Sequence, residues 1–419
     1  MKKSILTTLA CCCILFSNHI LAQETFNVMF YNVLNYPLQQ PASRIQHLET
    51  ILDDYQPDLF MICELNNEEG ADNILAILQA ENPSIQRALF VPNTSDDDIG
   101  NQNDLQNMVY YDSSKFILES QTEVSTLYRD FNHYTLKLNT TNQNTNPIRI
   151  NVFVTHLKSS SGTDNQNIRL AMVNDFVDYL ETLPSDSYNI LGGDLNLYTN
   201  SEPAYQELLD NTNNITFVDP INRSGSWHNN INYLDVFTQS TRTQSGLGGA
   251  TGGFDDRFDF ILTSENMLTN PDIFYVNDSY QVYGNNNNVN CFNSEINSND
   301  CAGSDFNATI RNALYYFSDH LPVTLQLQTN ESLSIPKHNV ENNIAFIGGN
   351  LIDNKLELNI KNAILGEKKI AITNTLGQQI LEINTNNNSR VSIDVSNLSS
   401  GIYYVISQQN IKPLKFIKL

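Results

Sequence analysis

Basic residues are scarce. Lys and Arg number 23 against 46 Asp and Glu, a formal net charge of −23 over 419 residues, and the chain has no basic tail. That shortage excludes a passive protein that coats nucleic acid by charge alone. Long apolar runs are scarce too: only Ile5 to Leu21 qualifies, so a multi-span membrane protein is excluded. Cysteine occurs six times, and three of these, Cys11 to Cys13, fall inside that first run. What is present is globular in character. Apolar residues make up 40% of the chain, spread throughout, which argues against global disorder despite the many Asn. The length suggests roughly two or three domains.

Residues 1–22 read as a secretory signal peptide. Lys2 and Lys3 start it, Ile5 to Phe16 is its apolar stretch, and Leu21-Ala22 is a plausible cleavage end. A membrane anchor is the rival, but Ser17-Asn18-His19 cuts the apolar run short. Lipidation of Cys11 to Cys13 is disfavoured because Thr8-Leu9-Ala10 is a poor lipoprotein box. Cys63, Cys291 and Cys301 remain after removal. Cys291 and Cys301 flank a polar loop and could pair in an oxidising compartment. Cys63 sits in a solid apolar run and reads as a small buried thiol.

From residue 23 to 329 strand-like and helix-like segments alternate. Phe26 to Phe30, Asp58 to Cys63, Arg149 to Thr155, Tyr188 to Leu191, Phe258 to Leu262 and Leu321 to Leu327 read as strands. Ile45, Leu48, Ile51, Leu52 and Tyr55 share one helix face, and Ile168 to Leu183 hold another. Interleaving of this kind argues for an α/β layered domain. Residues 330–343 are polar and irregular and look like a linker. Residues 344–419 alternate Leu, Ile and Val with Gly punctuation, which suits a small β-sandwich.

Polar residues stand at the ends of the apolar strands. Asn32, Glu64 and His156 do so, as do Asp194 and Asn196 in Gly192-Gly193-Asp194-Leu195-Asn196, Asp259, and Asp319-His320. One Asp at a strand end is usually a turn residue or a helix cap. Six such sites, all carboxylate, amide or imidazole, ask for more. Hard oxygen donors without a Cys/His cluster suit Mg²⁺ or Mn²⁺ rather than structural zinc. Histidines beside carboxylates suit proton transfer. Together they match phosphate-ester hydrolysis.

In their order, Tyr31-Asn32, Cys63-Glu64-Leu65, Thr155-His156-Leu157, Gly193-Asp194-Leu195-Asn196, Asp259 in its Arg-x-Asp strand and Ser318-Asp319-His320-x-Pro resemble the endonuclease/exonuclease/phosphatase superfamily related to DNase I. The resemblance implies an α/β fold, a four-layer α/β/β/α sandwich with its site at one edge of two packed sheets. It implies Glu64, Asp319 and Asn32 as metal-site residues, His320 paired with Asp259 as base or phosphate-binding group, and Asp194 as the residue that positions or deprotonates water. Asn196 and His156 would hold the phosphate, with Arg129 as a further phosphate contact. There are departures. Cys63 replaces the usual Gln, and Asn66 replaces the Arg of pancreatic-type enzymes. No Gln-Glu-Thr-Lys occurs, which speaks against abasic-site repair, and no Trp-Cys-Asp-Arg strand as in inositol polyphosphate 5-phosphatases.

Other features have plainer readings. Gly246 to Gly253 holds five glycines but is no Walker loop, and a mobile loop is favoured. Asp96-Asp97-Asp98 with Gly100 and Asp104 could bind a structural Ca²⁺, yet the spacing misses the EF-hand pattern and a solvated loop is favoured. Trp227-His228 could stack on a base or anchor a loop. Asn167 and Arg169 could face the site or cap the helix after His156. The stretch Ile393 to Tyr404, with the Lys-rich end Lys412 to Lys418, resembles the sorting domain of the type IX secretion system.

The expectation is a secreted, metal-dependent phosphodiesterase, in the first place an extracellular nuclease for DNA or RNA. It would be monomeric, exported by type IX machinery and without a stable membrane span. The rivals are a sphingomyelinase-like lipid phosphodiesterase or a phosphomonoesterase, and a non-enzymatic surface-binding protein. Residues 331–419 carry nine basic and seven acidic side chains, so the anionic charge lies in the presumed catalytic domain. Four of that domain's twelve cations, Arg129, Lys158, Arg169 and Arg257, fall within or beside the motifs. Weak, cation-dependent turnover is what this balance suggests.

Overall fold

Alternation of side chains across the strands sets the layers. The computed structural model describes residues 23–95, 105–334, 344–360, 369–384, 390–407 and 413–419. The predicted leader, the acidic run at Asp96 to Asp98 with Asp104, the linker from residue 335 onward, Asn386 to Asn388 and Lys412 lie outside them. The chain divides into two units, Met1–Ile335 and Pro336–Leu419.

The first unit contains two sheets. One holds β1 (Glu24–Tyr36), β2 (Leu59–Leu65), β3 (Ile85–Arg87), β4 (Gln106–Asp112), β11 (Phe274–Tyr275), β12 (Gln281–Val282) and β13 (Val323–Thr329), in the order β11-β13-β1-β2-β4-β3 with β12 also on β13. The other runs β5 (Phe116–Val124), β6 (Phe131–Leu138), β7 (Arg149–His156), β8 (Tyr188–Asp194), β10 (Asp259–Ser264) and β9 (Phe217–Val218). β1 and β2 are parallel, as are β7 and β8.

In β7, Ile150, Val152 and Val154 pack into the core shared by both sheets, while Phe153 turns outward to the helix α3 (Thr163–Leu180) and meets Phe176 edge-on. β8 and β10 alternate alike, with Ile190 and Ile261 inward and Leu191, Phe260 and Leu262 outward. α4 (Pro203–Leu208) joins α3 on this outer face. Helices α1 (Ile45–Tyr55), α2 (Glu68–Glu81) and α5 (Ala308–Phe317) cover the first sheet with Ile51, Ile74 and Leu314. Four layers, α/β/β/α, result, as expected. Local sequence explains the helix starts: Asn67 and Asn307 cap α2 and α5, accepting from the backbone N–H of Gly70 and of Thr309 and Ile310.

Register then aligns chemistry. His156 pairs with Asp194 across β7 and β8, and Asp194 with Asp259 across β8 and β10. These three positions share the inward parity of Val154 and Ile261, so they form one row at the strand ends. Asn32 pairs with Cys63 in the other sheet, which sets Glu64 beside the row's end.

Cys291 and Cys301 form a disulfide, and Cys63 is buried and free. No helix among the described residues is long and apolar enough to cross a membrane. The second unit has a sheet of β14 (Ile344–Phe346), β16 (Lys355–Ile360) and β19 (Arg390–Asp394). Its other sheet comprises β15 (Leu351–Ile352), β17 (Lys369–Asn374), β18 (Gln379–Asn384), β20 (Gly401–Ser407) and β21 (Leu414–Lys418). Leu356 and Leu358 of the first share a core with Ile370, Ile372 and Phe416 of the second.

Candidate active site

The strand ends enclose a cavity of about 320 Å³ lined by Glu64, Arg129, His156, Asp194, Asn196, Asp319 and His320, with Leu34, Leu105, Tyr198 and Phe258 as its apolar wall. Asn32 lies behind it, fully buried. Its amide Nδ2 donates to Glu64 Oε1 (2.9 Å) and Asp194 Oδ2 (3.0 Å), while its Oδ1 accepts from the Leu34 N–H (3.0 Å). One amide therefore ties the carboxylates of both sheets together.

Glu64 has φ +60, a left-handed conformation that a long side chain rarely adopts. Two hydrogen bonds hold it there: Asn32 on Oε1 and the Asn35 N–H on Oε2 (3.0 Å). Asn196, at φ +51, returns its backbone N–H to Asp194 Oδ1 (3.1 Å) and its amide to the Leu157 carbonyl (3.3 Å). His320 Nδ1 sits 2.7 Å from Asp259 Oδ2. His156 Nε2 is 3.5 Å from Asp194 Oδ2, and its Nδ1 is 3.9 Å from Glu64 Oε1 without a hydrogen-bond partner. Arg129 donates from Nη1 to the carbonyls of His156 (3.3 Å) and Leu157 (3.2 Å), which braces the end of β7.

Crowding of like charge shapes the ionisation. Burial raises Glu64, and Asp319 adds to it. Burial lifts Asp194 to about 8, with His320 opposing and Asp259 and Glu64 reinforcing. Burial alone would lower His320, but Asp259, Asp319 and Asp194 outweigh it and hold the imidazole well above its ordinary value. His156 is pushed well below, by burial first and then by Arg129 and His320. The two histidines are thus driven apart in charge state, which separates a cationic group from a neutral one.

The donor set fits a divalent cation. Ligating atoms of Glu64, His156 and Asp194 lie within 4.8 Å of one another, as do those of Asp194, Asp259 and His320. Asp259 Oδ1 and Asp319 Oδ1 are buried with no hydrogen-bond donor. Unsatisfied carboxylate oxygens beside other carboxylates are relieved by a hard cation.

All nine residues singled out by sequence, Asn32, Glu64, Arg129, His156, Asp194, Asn196, Asp259, Asp319 and His320, come together. Other expectations change. Arg169 does not face the site: it is buried against Glu202 (2.6 Å) and donates to the carbonyls of Lys158 and Ser160. Neither it nor Asn167 caps α3, whose N-cap is Gly162. Arg257 is likewise spent in a buried two-pronged pair with Asp219 (2.8 and 2.9 Å). Two of the four motif cations therefore serve structure. Trp227 is wholly buried and offers no face to a base.

Sequence reading missed Gln239, whose Nε2 donates to Asp319 Oδ2 (3.1 Å) and lies 2.6 Å from His320 Nε2, and the Ala250 N–H, which donates to Asp319 Oδ2 (2.6 Å). Neither sits in a periodic segment, so no pattern marks them.

Among solved structures the chain is similar to zebrafish TDP2 in complex with a single-strand DNA product, at 15% identity and TM-score 0.47, covering 73% of this chain and 99% of that one. It is similar to the human Nocturnin catalytic domain, at 15% identity and TM-score 0.45, covering 72% and 94%. An endonuclease/exonuclease/phosphatase family protein of Bacteroides thetaiotaomicron is similar at 13% identity and TM-score 0.44, covering 73% and 96%. A search of curated proteins matched none. Residues 352–418 match the family of secretion system C-terminal sorting domains.

Proposed function

We propose that the chain is an exported, divalent-metal-dependent phosphodiesterase, and specifically an extracellular nuclease acting on DNA or RNA. One observation carries this reading: Glu64, His156, Asp194, Asn196, Asp319 and His320 line one cavity, with Asn32 and Asp259 behind them. Glu64 and Asp319 would hold Mg²⁺ or Mn²⁺, with Asn32 orienting Glu64. When bound, such an ion neutralises charge on phosphoryl oxygens. Asp194, buried and raised, is suited to align water and accept its proton. His320, held through Nδ1 by Asp259, is suited to bind phosphate or to act as base. Neutral His156, Asn196 and Arg129 complete the phosphate contacts. The sorting-domain match and the leader-like start support export through the type IX system.

A substrate panel tests the reading. Plasmid DNA or RNA should be cut in Mg²⁺ or Mn²⁺ and protected by EDTA. Hydrolysis of sphingomyelin or a phosphomonoester with nucleic acids untouched would move the assignment to the lipid phosphodiesterase or phosphomonoesterase class. Inertness toward all of them in both metals would leave a surface-binding protein on this scaffold.

A further inference from the structure

The glycine-rich segment before β10 is pinned rather than loose. Arg242, wholly buried, donates from Nε to the Tyr315 carbonyl (2.8 Å) and from Nη1 to those of Leu247 (3.4 Å) and Gly248 (3.0 Å). Ser240 Oγ donates to the Ala250 carbonyl (2.8 Å). These bonds set Gly249 against Asp319. Gly249 has φ +70, and a Cβ added there would stand 2.4 Å from Asp319 Cγ, so neither backbone nor space admits a side chain. The next residue, Ala250, gives its N–H to Asp319 Oδ2, and Gln239 gives the same oxygen a second hydrogen bond. Both donors go to Oδ2; Oδ1 has none, although it is buried.

An acceptor that takes two donors on one oxygen and none on the other is oriented for a further, different partner. We propose that Gly249-Ala250 and Gln239 form a clamp that fixes the Asp319 carboxylate in one orientation and reserves Oδ1 for the divalent cation, making them positioning residues of the metal site. The inference deepens the function proposed above and rests on it. A carboxylate held this way loses little freedom when the ion binds, and outer contacts of this kind set metal affinity.

Mn²⁺ titration of the full-length exported chain, followed by electron paramagnetic resonance of the free ion, tests it. Glu64→Ala should abolish the site. Gln239→Ala and Gly249→Ala should each weaken Mn²⁺ affinity about tenfold, with circular dichroism and melting temperature near wild type for Gln239→Ala. Gly252→Ala, where an added Cβ meets nothing within 4 Å, should bind as wild type does. If Gly249→Ala fails to fold, Gln239→Ala alone decides. Wild-type affinity in Gln239→Ala, with Glu64→Ala inactive in binding, overturns the clamp and leaves the metal site standing. Equal loss in Gly252→Ala also overturns it, because the effect would then be general to the segment. Indistinguishable titrations of wild type and Glu64→Ala overturn the metal reading itself.

Discussion

The two ends of the β1–β2 pair each open on a cavity, and the contrast between them is instructive. The end away from the candidate site has the larger one, about 390 Å³, lined by Asn27, Asp53, Gln56, Asp58, Glu81, Lys115 and others. There Asp58 accepts from the Asn27 N–H (2.9 Å) and pairs with Lys115 (2.8 Å), and among the described residues no buried side-chain atom lining that cavity lacks a partner. At the opposite end the smaller cavity has Asp319 Oδ1, His156 Nδ1 and Arg129 Nε unpartnered on its wall. Volume does not single out the candidate site from the other cavity. Polar groups left unsatisfied at a cost to the fold do.

The largest effect expected from this contrast is on turnover. Glu64→Gln, Asp194→Asn and His320→Ala should each lower hydrolysis by at least about 100-fold. In metal-free buffer Asp194→Asn should melt no lower than wild type, and higher if anything, because burial beside Asp259 and Glu64 disfavours the ionised form that the carboxyl takes freely in the unfolded chain, and an amide escapes that cost. A marked loss of melting temperature in Asp194→Asn would break the contrast from one side. Next in size, Asp58→Ala should cost about 1–3 kcal/mol of stability while leaving turnover unchanged; denaturant melts and an activity assay check both halves. Loss of activity there would break it from the other side.

The smallest effect concerns a buried histidine with its partners in place. His133 contacts Tyr179 (2.8 Å) and Asn151 (3.0 Å), and burial holds it below its ordinary value. The fold disfavours its protonation, whereas the unfolded chain takes up a proton below about pH 6.5. Stability is therefore full above that pH and falls beneath it. His133→Phe should lose less melting temperature than wild type between pH 7 and pH 5; an equal loss would assign the acid sensitivity to other groups.

Residues at the ends of apolar strands were legible because the strand itself announces them. Val28-Met29-Phe30 leads to Asn32, and Val152-Phe153-Val154 to His156, with little for a reader to infer beyond period two. Less was visible where partners are distant. Arg169 and Arg257 look like free cations locally, but their carboxylates lie 33 and 38 positions away. β5 was missed because it exposes one side and carries Glu119, Ser120, Gln121 and Thr122 through its middle. The Gly246 to Gly253 segment reads as loose until Arg242, buried beneath it, supplies the bonds its composition does not hint at. Composition also overstated the cations at the cavity, since of the four only Arg129 lines it.

The row of His156, Asp194 and Asp259 occupies matched positions on three adjacent strands. Because successive side chains face opposite ways, a slip of a single residue in either ladder would turn part of that row toward the outer helices. Under the proposed function, turnover serves as a gauge of strand registration. A preparation misaligned in this sheet could keep its full strand content by circular dichroism and still be silent in assay, so specific activity, more than any spectroscopic measure of folding, reports how many molecules were threaded correctly.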